Sequence, residues 1–115
     1  MRNKVALASA LQSLQAIPHE FKIMFEHGSL SVELYRPIAT DKQMPHDRDE
    51  VYIIATGSGK FMLEEELTAF KAGDFLFVPA GANHRFVEFT DDFSTWVLFY
   101  GPPGGERSEP INHLS

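Results

Sequence analysis

Between residues 18 and 101 the sequence is a succession of short apolar segments, each rich in the aromatic and β-branched residues that favour strands. Turn-forming residues interrupt this succession at regular intervals. The clearest of these turns are His27-Gly28, Gly57-Ser58-Gly59, Gly73-Asp74 and Pro79-Ala80-Gly81. Many short strands joined by glycine and proline turns are typical of an antiparallel sandwich or barrel, so the sequence predicts an all-β fold.

The segment before these strands has a helical pattern. Leu7, Leu11 and Leu14 recur at the spacing of one helix face, and Pro18 supplies a stop. The basic and apolar residues at the start also resemble a signal peptide, but the apolar part is much shorter than the usual about 7–15 residues. We therefore expect a short N-terminal helix within residues 1–17.

Length and composition indicate a single domain. A chain of 115 residues, of which 43% are hydrophobic, is long enough for one hydrophobic core. No internal repeat or low-complexity segment divides it. We predict one domain over residues 1–115, with a barrel in residues 21–100. An irregular tail is expected in residues 101–115, where three prolines disfavour regular structure.

Two of the predicted strands are apolar on both faces. Phe75–Val78 and Trp96–Tyr100 lack alternating polar residues, and such strands are normally covered on both sides. In a domain of this size the outer cover has to come from the N-terminal helix or from a second copy of the chain. Because symmetric dimers are the commonest oligomers, we expect a homodimer.

Charge and composition disfavour several classes of partner. The 10 basic and 16 acidic residues give a net charge of −6, and no lysine or arginine cluster offers a surface for nucleic acid. The acidic balance disfavours anionic membranes, and no apolar run approaches the about 18 residues that cross a bilayer. The absence of cysteine excludes disulfides and thiolate metal sites and fits a cytoplasmic protein. We expect a small molecule as the partner.

Two histidines and a glutamate form the strongest candidate site. His46 precedes Glu50 by four residues, so both side chains point into the barrel if the strand between them is regular. His84 opens a later strand whose alternation places Phe86 and Glu88 on the same inner face. Imidazole nitrogens and a carboxylate oxygen are a common ligand set for a divalent metal. A surface pair of His46 and Glu50 is the plainer alternative.

The spacing of these residues resembles that of the cupin superfamily. The first motif of that family is His-x-His, three or four residues, Glu, six residues and Gly, and its second His, Glu and Gly are matched by His46, Glu50 and Gly57. The second motif is Gly, five residues, Pro-x-Gly, two residues and His. It is matched throughout by Gly73, Pro79, Gly81 and His84. The two motifs span residues 43–88, and the resemblance implies a jelly-roll β-barrel.

The first motif departs from the family at one expected ligand. Its first His falls on Met44, and the final Asn of the second motif falls on Glu88. Gln43 is the nearest replacement, since its amide oxygen can bind a metal, although it needs an irregular backbone to face inward. Met44 has the expected alternation, but a thioether suits only soft metals, so a place in the pocket wall is the better interpretation.

The resemblance implies dioxygenase, isomerase or decarboxylase chemistry without choosing among them. It also implies one divalent metal ion, with iron, manganese, zinc and nickel not distinguished. Glu88 and Tyr52 are the only candidates for a separate acid or base. The alternative is a non-catalytic cupin that binds a small molecule for sensing or storage, with or without a metal. Fold alone does not decide between these functions.

Three aromatic residues are candidates for the apolar wall of a small-molecule pocket. They are Tyr52, Phe86 and Trp96. Ordinary core packing is an equally good interpretation for each of them.

Overall fold

The computed structural model describes residues 3–107, which form one helix followed by eight strands. The helix α1 spans Leu7–Gln15. The strands are β1 (Phe21–His27), β2 (Leu30–Tyr35), β3 (Asp49–Thr56), β4 (Ser58–Leu63), β5 (Glu66–Lys71), β6 (Phe75–Val78), β7 (His84–Phe89) and β8 (Ser94–Tyr100). The predicted all-β fold with a short N-terminal helix is confirmed. Most of the predicted tail, residues 108–115, lies outside the described residues, as do residues 1 and 2.

The strands form two antiparallel sheets that face each other as a jelly-roll barrel. One sheet has five strands in the order β1-β2-β8-β3-β6, and the other has three in the order β5-β4-β7. Side chains from both sheets fill the space between them and give one hydrophobic core. Its buried members are Tyr35, Tyr52, Ile54, Phe61, Phe70, Val78, Ala82, Phe86, Phe93 and Val97. This core forms the floor under the candidate site.

Helix α1 covers part of the outer face of the five-stranded sheet. Ala10 and Leu14 of the helix pack with Leu34 of β2 in a second apolar cluster, and Trp96 of β8 packs against the same cluster. The expectation that Trp96 lines an interior pocket is therefore corrected. Side chains alternate along β8, so Val97 faces the core while its neighbour Trp96 faces the helix. Within residues 3–107, no helical segment could span a lipid bilayer.

The other half of that outer face is uncovered in the single chain. Phe75 is 63% exposed, and Phe77 and Ile53 are exposed beside it. The register pairs Ile53 with Phe75 across β3 and β6, so these side chains form a continuous apolar surface. We expected the apolar strands to be covered on both faces. This holds for β8, where helix α1 covers Trp96, but not for β6, whose outer face is exposed. Since β6 is the edge strand, it lies away from α1, which contacts β1 and β2.

A register shift turns Glu88 out of the barrel. Along β4 and β7, Lys60 pairs with Glu88 but Phe61 pairs with Phe86, so one residue of β7 is extra at this point. Glu88 consequently lies on the surface, with Lys60 Nζ 3.7 Å from its Oε2. The expectation that Glu88 shares the inner face of His84 is wrong, because the alternation is broken between them. Glu88 is accordingly not a candidate acid or base for an interior site.

Candidate metal centre

Three side chains converge at one end of the barrel interior. His46 comes from the loop before β3, Glu50 from β3 itself and His84 from the start of β7. Each residue offers one potential ligand atom, and these three atoms all lie within 4.8 Å of one another. Glu50 is fully buried, His84 is nearly so, and the side chain of His46 is 36% exposed. The three residues named from the sequence are thus brought together at a site that is partly open to solvent.

His46 reaches this site by a different route from the one expected. Strand β3 begins only at Asp49, and the chain bends at residues 47 and 48, so strand alternation does not orient His46. The backbone N–H of Gly81 instead donates to the carbonyl oxygen of His46 at 2.7 Å. Gly81 adopts a φ of +81°, a left-handed conformation that favours glycine. The turn before His84 therefore holds the loop that carries His46.

The orientation of the His84 ring determines which nitrogen faces the site. Its Nδ1 lies 3.0 Å from the carbonyl oxygen of Ala82. A carbonyl oxygen only accepts, so Nδ1 carries a proton and Nε2 has a free lone pair in the neutral ring. That Nε2 lies 3.2 Å from Oε1 of Glu50. A backbone bond of this kind is the usual support of a metal-binding histidine.

The electrostatics of the site are set by one buried carboxylate between two imidazoles. Burial by itself would raise the pKa of Glu50, but the adjacent imidazoles of His46 and His84 outweigh it and lower that pKa to about 2. Burial would likewise lower the pKa of His84, but Glu50 and the Ala82 carbonyl raise it above its ordinary value. Glu50 is therefore ionised at neutral pH and attracts positive charge to this position.

Two atoms of the site are buried without a hydrogen-bond partner among the described residues. They are Oε2 of Glu50 and Nε2 of His84. An unpaired polar atom in a protein interior is costly, and most such atoms have a partner that satisfies them. A divalent cation would satisfy both at once, and the donor set of two imidazoles and one carboxylate suits it. The residues present therefore fit a metal ion.

The candidate fourth ligand, Gln43, lies beside the site with its amide already engaged. Its Oε1 accepts a hydrogen bond of 2.9 Å from the Tyr52 hydroxyl, and its Nε2 donates to Asp41 Oδ2 at 2.9 Å. A role for Gln43 as a metal ligand stays a prediction. Met44 points away from the core and is 74% exposed, at the rim of a cavity, which agrees with a wall position.

Two cavities reach the site from different sides. One, of about 520 Å³, touches His84 and Gln43, and its rim carries Lys42 and Arg85. The other, of about 230 Å³, touches His46 and Gln43 and is lined by Glu33 and Phe99 among others. Small-molecule sites commonly occupy about 300–1,000 Å³, so the larger cavity alone is sufficient for a small ligand.

Two of the three predicted wall residues belong to the floor of the site. Tyr52 and Phe86 are fully buried, and their rings meet edge to face at a centroid distance of 4.8 Å. The Tyr52 ring also lies 6.1 Å from that of His84. Tyr52 therefore supports the candidate ligands from below and presents its hydroxyl beside them, while Phe86 packs behind Tyr52.

The family of the chain follows from a match that covers more than half of it. The family model described as Cupin domain matches residues 31–100, a segment that contains His46, Glu50 and His84. The chain belongs to the cupin family.

Related proteins agree with this assignment. A Streptomyces coelicolor protein with the name Uncharacterized protein SCO3923 is 37% identical over 76 residues, which are 64% of this cupin and 72% of that protein. A Cupin 2 conserved barrel domain protein from Salinispora arenicola CNS-205 is similar in structure, with a TM-score of 0.66, 17% identity and coverage of 88% of this chain and 89% of that one. KdgF from Halomonas sp. has a TM-score of 0.62 and 23% identity, covering 70% and 77%. At these identities the two structures support the fold alone.

Two acidic residues of this cupin that sequence patterns did not single out lie at the site. Glu33 lines the smaller cavity beside His46, and burial together with the charge of Glu50 raises its pKa. Asp41 is buried in the loop between β2 and β3. Strand alternation along β2 could have indicated Glu33, because it places Glu33 on the same face as Tyr35 and Leu34 on the other face. The polar loop around Asp41 contained no comparable signal.

Proposed function

We propose that this cupin binds one divalent metal ion through His46, Glu50 and His84, and that the ion holds or activates a small molecule in the adjoining cavities. The observation that carries this proposal is the pair of buried, unpaired atoms, Glu50 Oε2 and His84 Nε2. Without a cation, their burial is an unexplained cost.

The side chains have distinct roles in holding the ion. Glu50 supplies the negative charge, and its place on β3, which is paired on both sides by β8 and β6, fixes it at the centre of the site. His84 supplies a nitrogen whose tautomer is set by Ala82. His46, the most exposed of the three, lies on the side of the smaller cavity. When bound, a divalent ion polarises a carbonyl group or, if it is iron, supports dioxygen chemistry.

Two residues of this chain are placed to hydrogen-bond a bound molecule, and one of them, Glu33, is also suited to accept a proton. Glu33 lies in the smaller cavity, and its raised pKa makes its carboxyl group a better proton acceptor than an ordinary glutamate. The Tyr52 hydroxyl is also beside the site, but burial and then Glu50 raise its pKa well above the ordinary value. Tyr52 is therefore suited to hydrogen bonding rather than to proton release.

A non-catalytic binding protein is the second candidate, and one observation favours it. The position of the first family His is occupied by Met44, whose side chain is largely exposed. The neighbouring Gln43 already accepts a hydrogen bond from Tyr52. A site with three protein ligands leaves more positions for a bound molecule but holds the metal less firmly.

Turnover and binding assays on the metal-loaded protein separate the two functions. A panel of small carbonyl compounds and hydroxy acids would be incubated aerobically and anaerobically with the wild type and with Glu33→Gln. Turnover that falls in Glu33→Gln supports an enzyme. Saturable binding without turnover supports a sensing or storage protein. If no compound of a broad panel is turned over or bound, the result counts against both the enzyme and the binding protein.

We also propose that the uncovered half of the outer sheet face pairs with a second copy of the chain. Phe75, Phe77 and Ile53 form an apolar surface at the edge of the five-stranded sheet. Exposed aromatic clusters of this kind mark interaction surfaces, and a two-fold pair would cover both copies at once. A cytoplasmic location stays a prediction from composition.

A further inference from the structure

The first residues of the C-terminal tail fold back against the loop that carries His46. Residues 101–107, here called the strap, follow β8 directly. The backbone N–H of Gly104 donates to the carbonyl oxygen of Asp47, the residue after His46. The carbonyl oxygen of His46 itself accepts from the backbone N–H of Gly81. Two successive carbonyls of this loop are therefore held by two segments, the strap and the turn before β7.

A buried carboxylate joins these two segments to each other. Asp49 is the first residue of β3, and its side chain is buried. Its Oδ1 accepts from the backbone N–H of Ala80 in the turn at 3.0 Å. Its Oδ2 accepts from the backbone N–H of Glu106 in the strap at 2.7 Å. Hydrogen bonds of this kind to a carboxylate are among the stronger ones in proteins, so Asp49 fixes the strap against the turn.

The strap also packs closely against this carboxylate. Gly105 has a φ of +91°, in the left-handed region that favours glycine. A Cβ atom at this position would lie 2.9 Å from Oδ1 of Asp49 and 3.1 Å from Cβ of Ala80. Because backbone N–H groups hold both oxygens of Asp49, its carboxylate cannot move aside without losing a hydrogen bond. A residue without a side chain thus lies where the strap meets the turn.

Of the three proposed metal ligands, His46 is the one that needs such support. Glu50 lies within β3 and His84 begins β7, so strand pairing holds the backbone of both. His46 belongs to no strand, and its side chain is the most exposed of the three. Its backbone is instead held by the hydrogen bonds that the turn and the strap make to His46 and Asp47.

We propose that Asp49 and the strap position His46 for metal binding, because Asp49 holds together the two segments that fix the His46 loop. This inference rests on the proposed metal site. Within residues 3–107, no hydrogen bond joins Asp49 or the strap to the side chain of a proposed ligand. Their effect on the site therefore passes through the backbone at residues 46 and 47.

The test removes one backbone N–H of the strap and uses Co²⁺ as the probe. Glu106→Pro deletes the donor to Asp49. Glu106→Ala is the matched control, since it removes the same side-chain charge and keeps the N–H. We expect the dissociation constant for Co²⁺ to rise about 10-fold in Glu106→Pro, the low end of the about 10–100-fold typical of residues that support metal ligands. Glu106→Ala should bind like the wild type, and unchanged binding in Glu106→Pro would overturn the proposal.

A second comparison asks whether the effect passes through His46. In a His46→Ala background the ligand that the strap positions is gone, so adding Glu106→Pro should weaken Co²⁺ binding little further. The visible absorption of bound Co²⁺ depends on its ligands, and in Glu106→Pro it should shift toward that of His46→Ala. An equal loss of affinity in both backgrounds would indicate a general effect on the fold and would overturn the proposal.

A second variant guards against failure of Glu106→Pro to fold. Gly105→Ala places a methyl group against the Asp49 carboxylate. Gly104→Ala is its control, because Gly104 has a similar φ of +88° but a Cβ there would meet nothing within 4 Å. Gly105→Ala should lose clearly more Co²⁺ affinity than Gly104→Ala. Equal losses would show that backbone strain, and not the contact with Asp49, is responsible, and would count against the proposal.

A metal-free measurement separates this proposal from the proposed function. If the wild type binds no Co²⁺, the metal site is refuted, and the strap is then judged by NMR of the histidine rings. In the wild type, Nδ1 of His46 lies 3.2 Å from Oε1 of Glu50. Glu106→Pro should move the His46 ring signals toward those of a free histidine, with a smaller change for His84. Unchanged His46 signals would overturn the role of the strap whatever the metal result.

Discussion

The Nε2 atom of His84 lies 3.2 Å from Oε1 of Glu50, and the two side chains come from opposite sheets of the barrel. Glu50 lies on β3 of the five-stranded sheet, and His84 begins β7 of the three-stranded sheet. This contact brings together Glu50 of the first cupin motif and His84 of the second motif in the protein interior. A charged and a titratable group held this close in a core require compensation, which a shared cation would provide.

Glu50→Gln should abolish tight metal binding. The change retains the size of the side chain but removes its charge, and an amide is a poorer ligand than a carboxylate. We expect the dissociation constant for Co²⁺ to rise by more than the about 10–100-fold typical of an outer-shell change. Isothermal titration calorimetry measures this. Glu88→Gln, which changes a surface ion pair with Lys60, should leave binding unaltered.

Metal affinity should fall with acidification from a pH above 6.5. Binding requires neutral imidazoles, so protons compete with the metal. The pKa of His84 is raised in the metal-free protein, mainly because Glu50 outweighs the effect of burial. Competition therefore begins at a higher pH than for an ordinary histidine. Co²⁺ titrations between pH 5 and 8 would contradict this if the affinity stayed level until well below 6.5.

Stability should fall above pH 10, in part because of Tyr35. Burial and its hydrogen bond to Asp41 raise the pKa of Tyr35 far above 10 in the folded state. The unfolded chain ionises near 10, so this contribution is complete below pH 10 and is lost as the pH rises further. Tyr35→Phe should show a shallower alkaline loss in urea unfolding. At neutral pH it should be less stable by about 1–3 kcal/mol, since Asp41 loses a donor.

Charges placed on the exposed edge of the five-stranded sheet should prevent self-association. Phe75→Lys combined with Phe77→Lys puts like charges on the apolar surface that we propose to pair. Sedimentation at micromolar concentration should give a dimer for the wild type and a monomer for the double variant. Val87→Lys, an exposed apolar residue on β7 of the other sheet, is the control and should leave the dimer intact. A monomeric wild type would refute the surface.

The strand pattern and the second motif were sufficient to predict the fold and His84. Turns such as Gly81 have strong local signals, and buried positions along β3 alternate as expected, with Glu50, Tyr52 and Ile54 all inside. The inward position of His46 was predicted from strand alternation, which does not apply there. A turn and a backbone hydrogen bond from Gly81 place His46 at the site instead. Local regularity could therefore bring the three candidate ligands to notice but could not describe how His46 is held.

The faces of the outer strands could not be predicted, because they depend on which elements pack against them. Leu34 faces helix α1, so its neighbours Glu33 and Tyr35 face the interior. The strand pattern alone predicts that the apolar Leu34 faces the interior. Trp96 also packs against this helix and therefore does not line the pocket. Asp41 was missed for a related reason, since its partners Tyr35 and Phe86 are distant in sequence and only the fold brings them together.

Metal content of the wild type and His84→Ala, both purified without a histidine tag, tests the central claim most directly. Inductively coupled plasma mass spectrometry after loading and desalting should find about one divalent ion per wild-type chain. His84→Ala should have lost most of it, while His27→Ala, altered at the exposed end of β1, should match the wild type. A wild type that takes up no metal, or a His84→Ala variant with undiminished metal, would contradict the account.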